Sequence, residues 1–401
     1  MAPGTLASDR VLAALLPLAA WTCYLPLGAK YAALGAAVLA ASAALRTRGV
    51  SVSALYACPP MPAALALLLL LALSLAWTPA PWSVGLGQLG QYALMLLVPV
   101  VAAACPPEQA RRSLGHFAVA SALVGLLFVI ARFEALPASA VLWHTSVDAE
   151  GNQRIATSIL LALGALLALW LALQHAGRLR ATWLVLGALS LLGLTLQDRR
   201  SGMLLLPVLA VAWAWTHQPG WLRRLLALTA VLLLAGTTWL TSDMVRQRFD
   251  EGVRELQAYR PDDAVATSWG QRLRMWQVTL DMVAERPLRG HGIGSWKQRW
   301  RERITPGTAL AQNTTPHNEY LLLAQQAGVF APLLWLWWLV RGAHASVRAG
   351  AVPAVLAWTA LGWIGLFNAV LRDAKFALPL LLLLALALAA GRSTPAERPA
   401  T

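Results

Sequence analysis

Charge is what this sequence has least of. Only 12% of its 401 residues are charged, against 58% hydrophobic, and acids are scarcer than bases, 18 to 32. A soluble domain carries roughly 25% charged residues and cannot hide so much apolar surface, so a soluble globular enzyme is excluded. Cysteine is nearly absent too: Cys23, Cys58 and Cys105 give neither a disulfide framework nor metal-ligand spacing, and read as packing residues. No carboxylate pair at glycosidase-like spacing stands out, and no solenoid-type repeat. The glycine-rich stretch Arg289–Ser295 resembles a dinucleotide fingerprint only superficially, because it follows a helical pattern rather than a strand. No cleavable signal peptide is evident, since the first apolar run continues into the next.

What the sequence has in quantity is apolar runs. A bilayer core about 30 Å thick needs roughly 20 apolar residues per helix. Twelve candidate spans are found near 11–28, 31–45, 61–77, 86–104, 114–131, 155–174, 181–197, 201–216, 222–241, 317–340, 351–371 and 375–391. Only helices or closed barrels satisfy the backbone in lipid. The expected fold is therefore all-α: a polytopic membrane helical bundle of about 12 transmembrane helices. A large, partly helical extracytoplasmic loop is expected between helices 9 and 10. The expected divisions are helices 1–9 over 1–241, the loop over 242–316, helices 10–12 over 317–391 and a tail over 392–401.

The formal net charge of +14 is distributed unevenly. With a cytoplasmic N-terminus, the inner short segments hold thirteen basic residues, from Arg10 to Arg398, and the outer short loops hold seven, among them Lys30, Arg132 and Lys375. The positive-inside rule thus puts both termini in the cytoplasm. The nineteen tryptophans, mostly near span ends, read as interface belts.

Within the loop, Asp243–Gln257 places Val245, Phe249, Val253 and Leu256 on one side of a helix. Gln271–Glu285 repeats the pattern with Leu273, Trp276, Leu280 and Val283, and Pro287 ends it. A glycine turn follows, then a short basic helix over 296–304. Span ten starts sharply in Thr314-Thr-Pro-His-Asn-Glu319: a threonine can cap, Pro316 suits the first turn, and His317 and Asn318 fall in that turn. The positive end of the helix dipole would there disfavour imidazolium and keep His317 neutral, as a base should be.

By this topology the outer face gathers His317 and Asn318 with Arg199 and Arg200 in a short turn, Arg154 before span six, Arg372 after span eleven, and Arg272 and Arg274 on the second loop helix. Charge near hydrocarbon is expensive and usually functional or paired. Arginine's planar fork suits phosphate. Arginines around one neutral histidine point to an anionic, phosphorylated, lipid-linked substrate with a hydroxyl to activate. Plainer readings stand beside each: a solvated turn with an internal ion pair at 198–200, the wet face of a loop helix for Arg272 and Arg274, snorkelling for Arg154 and Arg372, and a capping or interface role for His317.

Arg272-Leu-Arg-Met-Trp276, Arg286-Pro-Leu-Arg-Gly-His-Gly-Ile-Gly294 and Pro316-His-Asn-Glu-Tyr-Leu-Leu-Leu-Ala-Gln-Gln-Ala-Gly328 occur in that order. Together they resemble the O-antigen ligase and polymerase superfamily of bacterial membrane proteins. Arg200-Ser-Gly202 matches that family's arginine after span seven, although a doubled arginine, Arg199-Arg200, stands where a small residue often comes first. The resemblance implies an O-antigen ligase in the inner membrane with its active site facing the periplasm. It would transfer a glycan from undecaprenyl pyrophosphate to a sugar hydroxyl of lipid A–core, by metal-independent direct displacement with inversion. No cofactor, metal or nucleic acid is implied. His317 would be the base. Arg200, Arg272 and Arg199 are candidates for the donor pyrophosphate, and Asn318, Arg274, Arg154, Arg372 and Arg289 for other substrate contacts. A polymerase of O-antigen or exopolysaccharide, or an O-oligosaccharyltransferase, shares these motifs. A lipid or polysaccharide transporter is the rival of another class. It would place polar groups near the bilayer midplane, whereas here the helix centres are almost uncharged, with Asn368 the main polar exception.

Overall fold

The computed structural model describes residues 7–133, 147, 149–197, 200–217, 220–222, 225, 228–229, 236, 243–257 and 267–392. It is about 80% helix, with no strand among the described residues. The helices are α1 (Ala7–Thr22), α2 (Leu27–Thr47), α3 (Val52–Tyr56), α4 (Met61–Leu73), α5 (Trp82–Ala93), α6 (Leu97–Ala104), α7 (Pro107–Arg132), α8 (Gly151–Leu173) and α9 (Gly177–Leu196). They continue with α10 (Arg200–His217), α11 (Asp243–Gln257), α12 (Ser268–Glu285), α13 (Trp296–Arg301), α14 (Glu319–Ala327), α15 (Phe330–Arg348), α16 (Val352–Gly365) and α17 (Ala374–Ala390).

Five segments are long and apolar enough to cross a membrane by length and composition: α2, Trp82–Ala104, α7, α8 and α9. Shorter apolar helices lie at Met61–Trp77, Ser201–Thr216, Val352–Gly365 and Ala374–Ala390. The chain is a helical membrane protein. The expected ninth span, 222–241, lies almost wholly outside the described residues. The expected tenth, 317–340, is not one helix. It breaks at Gly328, where φ is 82°, into the nine-residue α14 and the longer α15.

Small residues let the long helices approach. Gly125 of α7 meets Gly193 of α9 so closely that a Cβ on Gly193 would stand 2.3 Å from the Gly125 Cα. At the centre, α17 is apolar all round and buried nearly throughout, packing on α6, α7 and α16. By contrast α9 leaves Leu179, Leu184, Val185, Leu191 and Leu192 exposed, the composition of a lipid-facing surface.

Two sequence expectations change here. On α12 the buried stripe is Met275, Val278 and Met282, while Leu280 is 53% exposed. The cause is tertiary: Trp296 and Trp300 of α13, stacked 5.1 Å apart, and Leu322 of α14 pack on the methionine side of the helix. The tryptophans likewise are not all interface residues. Trp335, Trp338 and Trp358 form a buried cluster between α15 and α16, the first pair stacked with ring centroids 5.0 Å apart and Trp358 edge-on to Trp338 at 4.6 Å.

The glycine turn is a strap across the C-terminal end of α14. The His291 and Gly292 amides donate to the Gln325 and Gln326 carbonyls, each at 2.8 Å, and the Ile293 amide donates to Ser74 Oγ at 3.0 Å. Gly292 has φ 92°, and a Cβ there would lie 2.4 Å from Thr78 Cα. Backbone-to-backbone approach in a left-handed conformation is what glycine alone permits. The strap fixes α14, and with it the segment in front of that helix.

Candidate functional site

The site begins on α12. Thr267 caps this helix, its Oγ1 accepting from the Gly270 amide at 3.0 Å. The helical repeat then brings Trp269, Arg272 and Trp276 to one face. The Arg272 guanidinium lies over the Trp269 ring, 5.9 Å from its centroid. Trp276 Nε1 donates to the Pro316 carbonyl at 3.0 Å and so anchors the residue before His317. Trp269 and Trp276 both pack on Phe367, with centroids at 6.2 and 6.4 Å. Phe367 belongs to the link between α16 and α17, which also carries Asn368, Arg372 and Asp373.

His317 stands outside the helix, not in its first turn. The N-cap is Asn318, whose Oδ1 accepts from the Leu321 amide at 3.0 Å; neither threonine performs that role. His317 has φ 50°, and among the described residues no other non-glycine residue has positive φ. A bulky side chain in this region is strained, and such strain persists where surrounding contacts hold it. Here the Trp276–Pro316 bond on one side and the Asn318 cap on the other do so.

The imidazole is half-buried. Burial, and then the positive charge of Arg272, lower its pKa from 6.5 to about 4, while the Asn368 side chain and the Asp373 carboxylate act the other way. His317 is therefore neutral at pH 7, the expected sign, through burial and a neighbouring cation. Asn368 is 1% exposed and its Oδ1 has no hydrogen-bond partner among the described residues.

Glu319 ties this end of the molecule together. It is fully buried, with Oε1 accepting from the Tyr92 hydroxyl at 2.7 Å and Oε2 from the Leu371 amide at 2.9 Å. One carboxylate thus joins α5, α14 and the α16–α17 link. Arg372, next in that link, donates through Nη1 to Gln91 Oε1 at 2.9 Å. Asp373 accepts from Asn152 Nδ2 at 2.7 Å, which brings in the first turn of α8. Arg154 lies in that turn. Its carbonyl accepts from Gln197 Nε2 at 2.9 Å, and its Nε is buried without a partner among the described residues.

Arg272, His317, Arg372 and the first turn of α8 with Arg154 therefore meet around one link. Arg274, also on α12, is half-buried, two positions from Arg272 and on a different side of the helix. Asn318 reaches the same end, but both ends of its amide are committed, Oδ1 to the cap and Nδ2 to the Leu366 carbonyl at 3.0 Å. Arg289 is not brought in. It is exposed on the strap at the other end of α14, about 13 Å away for a nine-residue helix. Arg199 and the Arg200 side chain lie outside the described residues. The backbone of Arg200 opens α10, held close to α8 because a Cβ on Gly202 would stand 2.4 Å from the Ser158 carbonyl.

Sequence reasoning did not place Asn368 or Glu319 at this candidate site. Each left a signal: a lone amide in an apolar span, and a carboxylate beside the His-Asn pair. Among the described residues no three His, Cys, Asp or Glu side chains converge in a way that could ligate a metal ion.

No curated protein matches the chain. Residues 185–336, however, match the family model described as O-antigen ligase, a stretch that takes in Arg200, Arg272, the glycine strap and His317. Over residues 185–336 the chain is thus similar to the O-antigen ligase family.

Proposed function

We propose that the protein is an inner-membrane glycosyltransferase. It moves O-antigen polysaccharide from undecaprenyl pyrophosphate to a sugar hydroxyl of lipid A–core on the periplasmic face. The observation that carries this reading is the neutral, strained His317 held beside Arg272 at the end of α14, within the stretch matched to the O-antigen ligase family. In the same reading the chain crosses the membrane twelve times, both termini are cytoplasmic, and residues 242–316 form a periplasmic loop over the site.

The chemistry follows from the groups present. The acceptor oxygen attacks the anomeric carbon from the face opposite the phosphate, so the configuration inverts. Its proton passes to the neutral His317 imidazole, a role worth about 10²–10⁴-fold in rate. The bond from the anomeric carbon to the phosphate oxygen breaks, and the electron pair leaves with the lipid pyrophosphate. Arg272 and Arg200 stabilise the growing phosphate charge through their guanidinium donors in a partly dehydrated site, as metal ions do in other enzymes. Arg199 is a second candidate for this contact. Arg154, Arg274 and Arg372 supply further positive charge for substrate phosphates. Asn318 acts by holding the backbone that presents His317.

A purified transfer assay tests this: lipid pyrophosphate-linked glycan and lipid A–core lacking O-antigen, with wild type and His317→Ala, with and without EDTA. Glycan should appear on lipid A–core with wild type in either condition, and transfer should fall at least about a hundredfold in the variant. Longer glycan on the carrier lipid, with none on lipid A–core, would make the protein a polymerase. No change in either lipid from folded protein would point to transport. Full activity of His317→Ala would remove the base assignment.

A further inference from the structure

Lys30 is a buried cation that no step above uses. It lies in the first turn of α2, is 3% exposed, and its Nζ has no hydrogen-bond partner among the described residues. Its charged neighbours are Asp373 and Lys375, at the N-terminus of α17. Asp373 is the same carboxylate whose charge acts on His317, so Lys30 and His317 belong to one end of the bundle.

Asp373 does not neutralise Lys30 by contact. Its Oδ1 accepts from the Lys375 amide at 3.0 Å and its Oδ2 from Asn152 Nδ2 at 2.7 Å. Both oxygens are thus engaged by neutral donors, and Lys375 adds a like charge nearby. An uncompensated ammonium in the interior is costly, and an ionisable side chain at membrane depth is retained where it meets a substrate or a partner. The first turn of α8, joined to Asp373 through Asn152, holds a second unsatisfied cationic donor, the buried Arg154 Nε. Among the described residues, two cations from separate helices are therefore left with unused donors around the link that also presents Asn368 to His317.

We infer that Lys30 is a phosphate-binding residue of this site, its ammonium donating to a phosphate oxygen of a lipid substrate. This rests on the proposed transferase reading, in which both substrates are phosphorylated lipids. Lysine serves such a contact as a point charge, without the geometric demand of arginine's fork. The phosphate belongs either to the carrier pyrophosphate or to lipid A.

The test uses the full chain in nanodiscs of zwitterionic lipid, comparing wild type with Lys30→Met and Lys30→Gln. Binding of undecaprenyl pyrophosphate and of lipid A is titrated separately, with undecaprenol as a phosphate-free control, and thermal midpoints are recorded. The expected result is that both variants keep or raise the midpoint, because an uncompensated charge leaves the interior. Affinity for one of the two phosphorylated lipids falls on the order of tenfold. Which lipid is affected names the source of the phosphate, and undecaprenol binding does not change. Wild-type affinity for both lipids in the variants would overturn the inference while leaving the transferase reading intact. So would a lowered midpoint with unchanged affinity, which would make Lys30 a structural neighbour of Asp373. Failure of wild type to bind either phosphorylated lipid would overturn the transferase reading itself.

Discussion

The two ends of α14 solve the same backbone problem in opposite ways. At its C-terminal end the chain turns through Gly328, and the strap beside it turns through Gly290, Gly292 and Gly294, all with positive φ. Glycine takes these conformations without steric penalty. At the N-terminal end the left-handed residue is His317, one residue before the cap. The first end is built for packing: a Cβ on Gly290, Gly292 or Gly328 would meet backbone at 2.0–2.6 Å, and its amides pair with carbonyls across the strap. The second end carries backbone strain at His317, and Asn368 Oδ1 has no hydrogen-bond partner among the described residues. The first end holds the second in place.

The comparison is broken most severely at the packing end. Gly292→Ala would drive a Cβ into Thr78 in a conformation alanine avoids. Its expected cost is about 3 kcal/mol or more, read as a large fall in thermal midpoint or loss of folded protein in detergent. A Gly292→Ala protein as stable as wild type would show that the strap is not the support claimed for it.

The pH profile sharpens the other end. Burial and Arg272 hold His317 at a pKa of about 4 against 6.5 in the unfolded chain. As a base it stays competent across neutral pH, so kcat/KM should fall only below about pH 4, roughly tenfold per unit. Stability follows the same group with a definite sign. Between about 4 and 6.5 the unfolded chain binds a proton that the native state refuses. The contribution from His317 therefore strengthens as pH rises through that window and is lost as pH falls through it. A kinetic limb centred near 6.5 in the wild type would contradict the site geometry.

A smaller effect is expected at the cap. Asn318→Ala removes the Leu321 amide's acceptor and the donor to the Leu366 carbonyl. The expected loss is about 1–2 kcal/mol, with reduced kcat from a loosened His317. Asn318→Asp, which retains the cap acceptor, should recover part of both. Smallest of all is Arg289→Ala, because Trp77 Nε1 bonds the Arg289 carbonyl, not its exposed side chain. Stability should change by less than about 0.5 kcal/mol, and a transfer assay should show near wild-type rate.

Local pattern made much of this legible. The α11 helix occupies the residues its apolar periodicity predicted, and α12 ends as expected before Pro287. The glycine turn is a tight turn, as its spacing implied. Other features were not readable because they depend on what lies opposite. The periodicity of α12 pointed to the Leu273–Trp276–Leu280–Val283 stripe, and packing by Trp296 and Trp300 buries Met275, Val278 and Met282 instead. The break at Gly328 was hidden inside an unbroken apolar run. His317, Asn318 and Glu319 are adjacent in the chain, yet they do three different things. His317 faces Arg272 and Asn368, Asn318 caps α14, and Glu319 binds Tyr92, 227 positions earlier in the chain.

The sequence by itself determined that this is a helical membrane protein, because its apolar runs are continuous over span length, where the strands of a closed barrel would alternate apolar and polar residues. It also marked the histidine and arginines of the proposed site. Only the tertiary structure decided which of them meet. That depends on the register between helices distant in sequence, set by contacts such as Trp276 to Pro316, Glu319 to Tyr92 and Asn152 to Asp373, and no periodicity within a single helix encodes it.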